Sequence, residues 1–136
     1  MTFKEFWVTY KRCRRQKKSG LVFPVRTKIH GVKKSDYQGA LAQSESGDEL
    51  QFVHVPLENY PHNVYVYSIT LNRILGYLEK PLAEKLVYIF GDGFCLDGRI
   101  DEIIGGPPFK YRGAYILVYD DNVFMKNVDL SVLYER

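Results

Sequence analysis

Cysteine is nearly absent from this chain. Cys13 and Cys95 are the only two in 136 residues, too few for a disulfide framework, and neither has a partner at C-x-x-C spacing. The three histidines, His30, His54 and His62, stand at no metal-ligand spacing, so no zinc site is expected. No Gly-rich phosphate loop of the P-loop or dinucleotide type occurs, because Gly91-Asp92-Gly93 follows a helical stretch instead of preceding one. A G-x-S-x-G elbow is missing as well. No apolar run approaches the ~20 residues of a membrane span, and no secretory h-region follows Met1. These absences lead us to expect a cytoplasmic, non-catalytic protein with reduced thiols, no metal and no cofactor. Cys95, set in a strand, reads as an inert buried thiol. Asp97, Asp101 and Glu102 suggest a divalent ion only if they share a strand face, which a bulge at Gly98 prevents; a solvated acidic face is expected there.

What is present points to recognition. Apolar residues at 46% suffice for one domain with a real core. Aromatics at 15%, with eleven Tyr, exceed what such a core consumes, and Tyr suits a partly wet aromatic surface. The net charge of +3 is unevenly spread. Residues 1–34 hold eleven Lys/Arg against Glu5 alone, about +10, which leaves about −7 behind them. That asymmetry fits a polyanionic or acidic partner, or simply a solvated basic face.

The chain opens with Thr2-Phe3-Lys4-Glu5, a capping box, followed by Phe3, Phe6, Trp7 and Tyr10 at helical spacing. The helix is expected to end near Ser19-Gly20. Its aromatic stripe suits docking on the rest of the domain or on a second copy; its basic end suits nucleic acid or a membrane surface. A strand is expected over 25–32, with Val25, Thr27 and Ile29 on one face and Arg26, Lys28 and His30 on the other, a cationic row suited to phosphates. Gly31 marks a positive φ or a close backbone approach. Residues 33–39 read as a basic loop displaying Tyr37, and 40–42 as a brief strand. Further strands are expected over 50–55, 64–69, 74–78, 94–104 and 115–119, with a compact turn over 56–63 and a reversal at Asn72-Arg73. Pro81 starts a helix that buries Leu82, Ala83, Leu86, Ile89 and Phe90 and stops at Gly91. Helix and strand are equally arguable for the tail. Six or seven short strands with two helices correspond to a mainly β fold: a small, OB-like, partly open β-barrel with one central helix and an added N-terminal amphipathic helix. The helix covers 1–20, the barrel 21–122, and a packed extension 123–136.

The segment from 25 to about 119 resembles the HIRAN family, of the standalone bacterial or phage type. The resemblance is carried by Thr27-Lys28-Ile29-His30-Gly31-Val32, by Gly47-Asp48-Glu49-Leu50 leading into Phe52-Val53, and by the 56–63 turn followed by Val64-Tyr65-Val66. Ile74-Leu75-Gly76-Tyr77-Leu78 and Leu82-Ala83 complete it. It implies an OB-like barrel with helices which, in eukaryotic members fused to helicase-like remodelling ATPases, binds single-stranded DNA and captures its three-prime end. It further implies that Lys33 stands at a basic position after the glycine, and that Lys34 and Ser35 stand where DNA-binding members carry stacking aromatics. Tyr60 and Asn63 retain the aromatic and the Asn of the signature turn, and Tyr77 follows the retained Gly76. Pro61 departs from the pattern, replacing the acidic residue that helps hold the terminal hydroxyl.

The expected function is a nucleic-acid-binding module for single-stranded DNA, with DNA ends as a candidate ligand, in DNA repair or replication. The expected binding residues are Arg26, Lys28, Lys33, Lys34, Tyr37, Tyr60, Asn63 and Tyr77, with a helicase-like ATPase as a candidate partner. The alternative is a protein-interaction or homo-oligomerisation module that uses Phe3, Phe6, Trp7 and Tyr10.

Overall fold

The computed structural model describes residues 2–122; the expected packing of the 123–136 extension lies outside them. The chain begins with α1 (Phe3–Ser19), β1 (Val25–Lys28) and α2 (Ser35–Ala42). Three strands follow, β2 (Glu49–His54), β3 (Val64–Ser68) and β4 (Arg73–Tyr77), then α3 (Lys80–Phe90), β5 (Cys95–Gly105) and β6 (Arg112–Asn122). The six strands form one antiparallel sheet in the order β1-β6-β5-β2-β3-β4. With α2 and α3 packed on it and α1 docked on α3, the fold is mixed α/β.

Local signals account for most boundaries. The Thr2 side chain accepts from the Glu5 N–H and the Glu5 carboxylate accepts from the Thr2 N–H, both at 3.1 Å, so two orphan donors of α1 are satisfied reciprocally. Pro81 lies in the first turn of α3, and Leu82, Ala83, Leu86 and Ile89 form its buried face. The register of β5 against β6 shifts between Leu96 and Gly98 and again between Ile100 and Glu102, so the acids of β5 do not stand in one regular row. β6 is eleven residues long, well beyond the expected 115–119.

Two expectations are corrected. Residues 35–42 are neither loop nor strand but the helix α2, because Tyr37, Ala40 and Leu41 share a face and Ala40 and Leu41 are fully buried. Gln38 then locks this helix in place: its Nε2 donates to the Val32 and Arg112 carbonyls at 2.7 and 2.8 Å, and its Oε1 accepts from the Arg112 N–H at 2.8 Å. The second correction concerns α1. Its half-buried residues are Thr9, Arg12, Arg15, Gln16 and Ser19, a polar stripe packed toward α3, while the aromatic stripe stays on the surface with Phe3 77 % and Phe6 54 % exposed. Arg15 anchors the contact by donating from Nε and Nη2 to the Ile89 carbonyl at 3.1 and 3.0 Å, where the C-terminal end of α3 attracts a cation.

Apolar side chains fill both sides of the central strands. Leu50, Phe52, Val64, Val66, Leu75 and Leu96 pack with Leu41 of α2 and Leu82 and Leu86 of α3. On the opposite side Val53, Tyr65, Tyr67, Ile74 and Cys95 form a second cluster joined by Tyr37 and Ile69. β3 is buried along its whole length, which is unusual for an antiparallel sheet, where one face commonly meets water.

The edge strands β1 and β4 meet beyond the end of β1. His30 and Tyr77 exchange both backbone hydrogen bonds, His30 N–H to Tyr77 C=O at 2.9 Å and Tyr77 N–H to His30 C=O at 3.0 Å. Two glycines make this approach possible. A Cβ at Gly76 would lie 2.5 Å from the His30 carbonyl oxygen and 2.6 Å from Ile29 Cγ2. Gly31, at φ 70°, lies against the Tyr77 ring, which a Cβ would overlap. Gly76→Ala is therefore expected to lower stability by about 3 kcal/mol, since the obstructing atom is backbone. Gly31→Ala is expected to cost about 1–2 kcal/mol, because the Tyr77 ring can swing aside. Urea denaturation of both variants checks the order.

Candidate functional site

A cavity of about 380 Å³ opens beside the His30–Tyr77 junction. Its walls come from four parts of the chain. The start of α2 supplies Lys34 and Tyr37, and the 56–63 turn supplies Leu57, Tyr60 and Asn63. The sheet contributes Tyr65 from β3 and Tyr77 from β4, and α3 contributes Lys80 at its first position. Five of the eight residues expected from sequence thus share one cavity: Lys34, Tyr37, Tyr60, Asn63 and Tyr77. Leu57, Tyr65 and Lys80 were not foreseen. Lys80 lies twenty residues from Tyr60, and only the packing of α3 on the sheet brings the two together.

The other three expected residues lie elsewhere. Arg26 Nε donates to Asp101 Oδ2 at 2.7 Å and its Nη2 reaches Glu102 Oε2 at 3.4 Å. Its guanidinium also stacks 4.1 Å above the Tyr115 ring. The hydrogen bond that Arg26 donates to Asp101 raises its already high pKa, so Arg26 is an engaged surface cation, paired with Asp101 and Glu102. Lys28 is exposed on the same face of β1. Lys33 sits with its Nζ 5.5 Å over the Tyr111 ring, which Lys110 also approaches at 5.3 Å.

The 56–63 turn is held by polar groups that the sheet cannot satisfy. Buried Asn63 donates from Nδ2 to the Val55 carbonyl at 3.2 Å, while its own carbonyl accepts from the Val55 N–H at 3.0 Å. Leu57 and Tyr60 exchange backbone hydrogen bonds at 3.1 Å. His54 supports the turn from below. The Gly93 N–H donates to His54 Nδ1 at 2.8 Å, so the ring proton resides on Nε2 and is donated to the Pro61 carbonyl at 2.7 Å. Pro61 therefore holds the turn through its carbonyl and brings no charge to the cavity.

Within the cavity, cations and rings are paired. Lys34 Nζ lies 5.1 Å from the Tyr37 ring centre and Lys80 Nζ 5.5 Å from that of Tyr60, within cation–π range. Among the described residues neither lysine forms an ion pair, and no carboxylate lines the cavity. Burial, with a smaller effect from Glu84, pushes the Tyr60 hydroxyl pKa upward, so it remains a neutral donor and accordingly reaches the Lys80 carbonyl at 3.4 Å. The lining offers planar aromatic faces, hydroxyl donors and two ammonium groups: a chemistry for a ligand that is flat in part and anionic in part.

Burial raises the Cys95 thiol pKa to about 12, which leaves almost no thiolate at neutral pH. Cys13 is exposed on α1. Among the described residues no group of His, Cys, Asp or Glu is arranged to hold a metal ion, and no helix is long and apolar enough to cross a membrane. No family model matches the chain, and no curated protein or solved structure matches it either.

Two outcomes follow. Asn63→Ala strands the buried Val55 carbonyl and is expected to cost about 1–3 kcal/mol in urea denaturation. Asp97 provides a pH test. Burial, reinforced by Asp121 and Glu49 and opposed by a hydrogen bond from Gln51, raises its pKa. An acid harder to ionise when folded stabilises the fold only below its unfolded pKa, and that contribution is lost as pH rises. Asp97→Asn should therefore melt above the parent protein at neutral pH, and the difference should vanish near pH 3, about a unit below the ordinary carboxylate value.

Proposed function

We propose that this protein is a nucleic-acid-binding module that takes single-stranded DNA at the cavity between α2, the 56–63 turn and β4. The observation that carries the reading is the convergence of Tyr37, Tyr60 and Tyr77 with Lys34 and Lys80 around one carboxylate-free opening. Bases stack on aromatic rings with little regard to sequence, and ammonium groups track the phosphates. The HIRAN-like pattern supports the same reading, since its Gly31, Gly76, Tyr60 and Asn63 all belong to this opening or to the junction beside it. We further read the sheet as an OB-like, partly open barrel whose closure is the His30–Tyr77 pair. A DNA repair or replication role beside a helicase-like ATPase accords with that resemblance.

The ligand is a strand rather than a strand end. Pro61 supplies no carboxylate for a terminal hydroxyl, and its carbonyl is already bonded to His54. Fluorescence anisotropy with short oligothymidylates tests the reading. Tyr60→Ala should weaken binding by roughly 5- to 150-fold, the loss of about 1–3 kcal/mol of stacking. Lys34→Ala should reduce the slope of log affinity against log salt by about 0.7. Free and phosphate-blocked three-prime ends should bind within about threefold of each other, under 1 kcal/mol. No binding of single-stranded DNA or RNA at low salt rejects the proposal.

A further inference from the structure

A second groove, of about 760 Å³, runs between α1 and α3, well apart from the lining of the cavity. Trp7, Tyr10 and Tyr88 supply its rings, each between 42 and 47 % exposed. Lys11, Arg14, Lys17 and Lys18 supply its charge. Among the described residues no acid lines it, and none of these four cations has a carboxylate within 4.0 Å. Arg15, also at its edge, is spent on the Ile89 carbonyl. The four cations are held next to one another against their mutual repulsion on a helix whose only acid is Glu5, an arrangement that a polyanion relieves.

The distribution around the helix distinguishes among polyanions. A helix lying in a membrane surface separates its apolar and cationic residues around its circumference. Here Trp7, Tyr10, Lys11, Arg14, Lys17 and Lys18 all fall within one arc of about 120°, at roughly 100° per residue. Rings and cations on a single concave face are what a nucleic-acid strand requires, with its alternation of bases and phosphates. We infer that the α1–α3 groove is a second nucleic-acid site, contacting the phosphate backbone through Lys11, Arg14, Lys17 and Lys18 and stacking bases on Trp7 and Tyr88. The inference shares with the cavity reading only the class of ligand. Lys80 and Tyr88 lie near opposite ends of α3, about 12 Å apart along its axis, and exposed Glu84 stands between them. The cavity and the groove are therefore separate contacts on one rigid element, within reach of a single strand.

The test is an anisotropy titration of the full chain with an oligothymidylate of about sixteen nucleotides, at the upper end of known site sizes, over a range of salt concentrations. No residue of α1 is buried, so Lys11→Gln/Arg14→Gln/Lys17→Gln and Trp7→Ala leave the core untouched, which circular dichroism checks. The triple variant should lose about tenfold or more in affinity at low salt and about 2 in salt slope, three phosphates at ~0.7 each. Trp7→Ala should weaken binding with the slope unchanged. The triple variant's loss should recur in a Tyr60→Ala background, as separate sites require. If Tyr60→Ala alone has no effect while the triple variant does, the cavity reading falls and the groove stands. If the triple variant binds the oligonucleotide as the parent does, the groove proposal is wrong. It is equally wrong if the α1 substitutions change only binding to phosphatidylglycerol vesicles, or only a self-association seen by sedimentation.

Discussion

His30 and Tyr77 hold the two edges of the sheet together through one reciprocal pair of backbone hydrogen bonds, and the candidate site is built outward from that pair. Two bonds between strands otherwise distant in the sheet order fix where β4 ends and where the segment after β1 turns. The approach needs two missing side chains, Gly76 beneath the His30 carbonyl and Gly31 against the Tyr77 ring. With the Tyr77 ring so placed, Lys34 and Tyr37 arrive on the next element, and the cavity has its first wall. A side chain at Gly76 collides with the junction itself, and one at Gly31 displaces the Tyr77 ring.

The other walls are secured by groups already fully used. Gln38 spends its amide on Val32 and Arg112, so a shift of α2 breaks three partly buried hydrogen bonds, each worth about 1 kcal/mol. Asn63 and His54 do the same for the 56–63 turn. The cations facing the cavity, by contrast, are lightly engaged: the Lys34 and Lys80 ammoniums rest over rings, and among the described residues neither meets a carboxylate. Rigid support under available cations and rings is the arrangement expected where a binding site is largely formed before its ligand arrives. The acidic residues of β5 stand outside it, with Asp101 and Glu102 both paired to Arg26.

Legibility from the sequence followed the range of the interactions. Capping at Thr2 and Glu5, the Pro81 helix start, the 56–63 turn and most strands depend on near neighbours, and the sequence shows them. α2 was hidden because Gly39 and the polar residues 33–38 mask a three-residue apolar face of Tyr37, Ala40 and Leu41. For α1 the aromatic stripe was expected to dock on the domain or on a second copy; within the chain the surface at Ile89 offers a helix C-terminus, which favours the guanidinium of Arg15 over a ring. Of the candidate site, Lys34, Tyr37, Tyr60, Asn63 and Tyr77 were legible through spacing and resemblance. Lys80 and Tyr65 were not, because nothing local marks a residue whose role depends on a helix crossing a sheet. The ion pairs of Arg26 were hidden for the same reason: its carboxylate partners lie about seventy-five residues away.

The central claim is that a single strand binds at the opening beside the His30–Tyr77 junction. An NMR titration of the labelled protein with oligothymidylate tests it at the level of individual residues. The account predicts that the backbone amide signals of Gly31, Lys34, Tyr37, Tyr60, Asn63 and Tyr77 move together and saturate with one affinity. Signals that stay fixed there while others move, or a spectrum that does not change at all, contradict it.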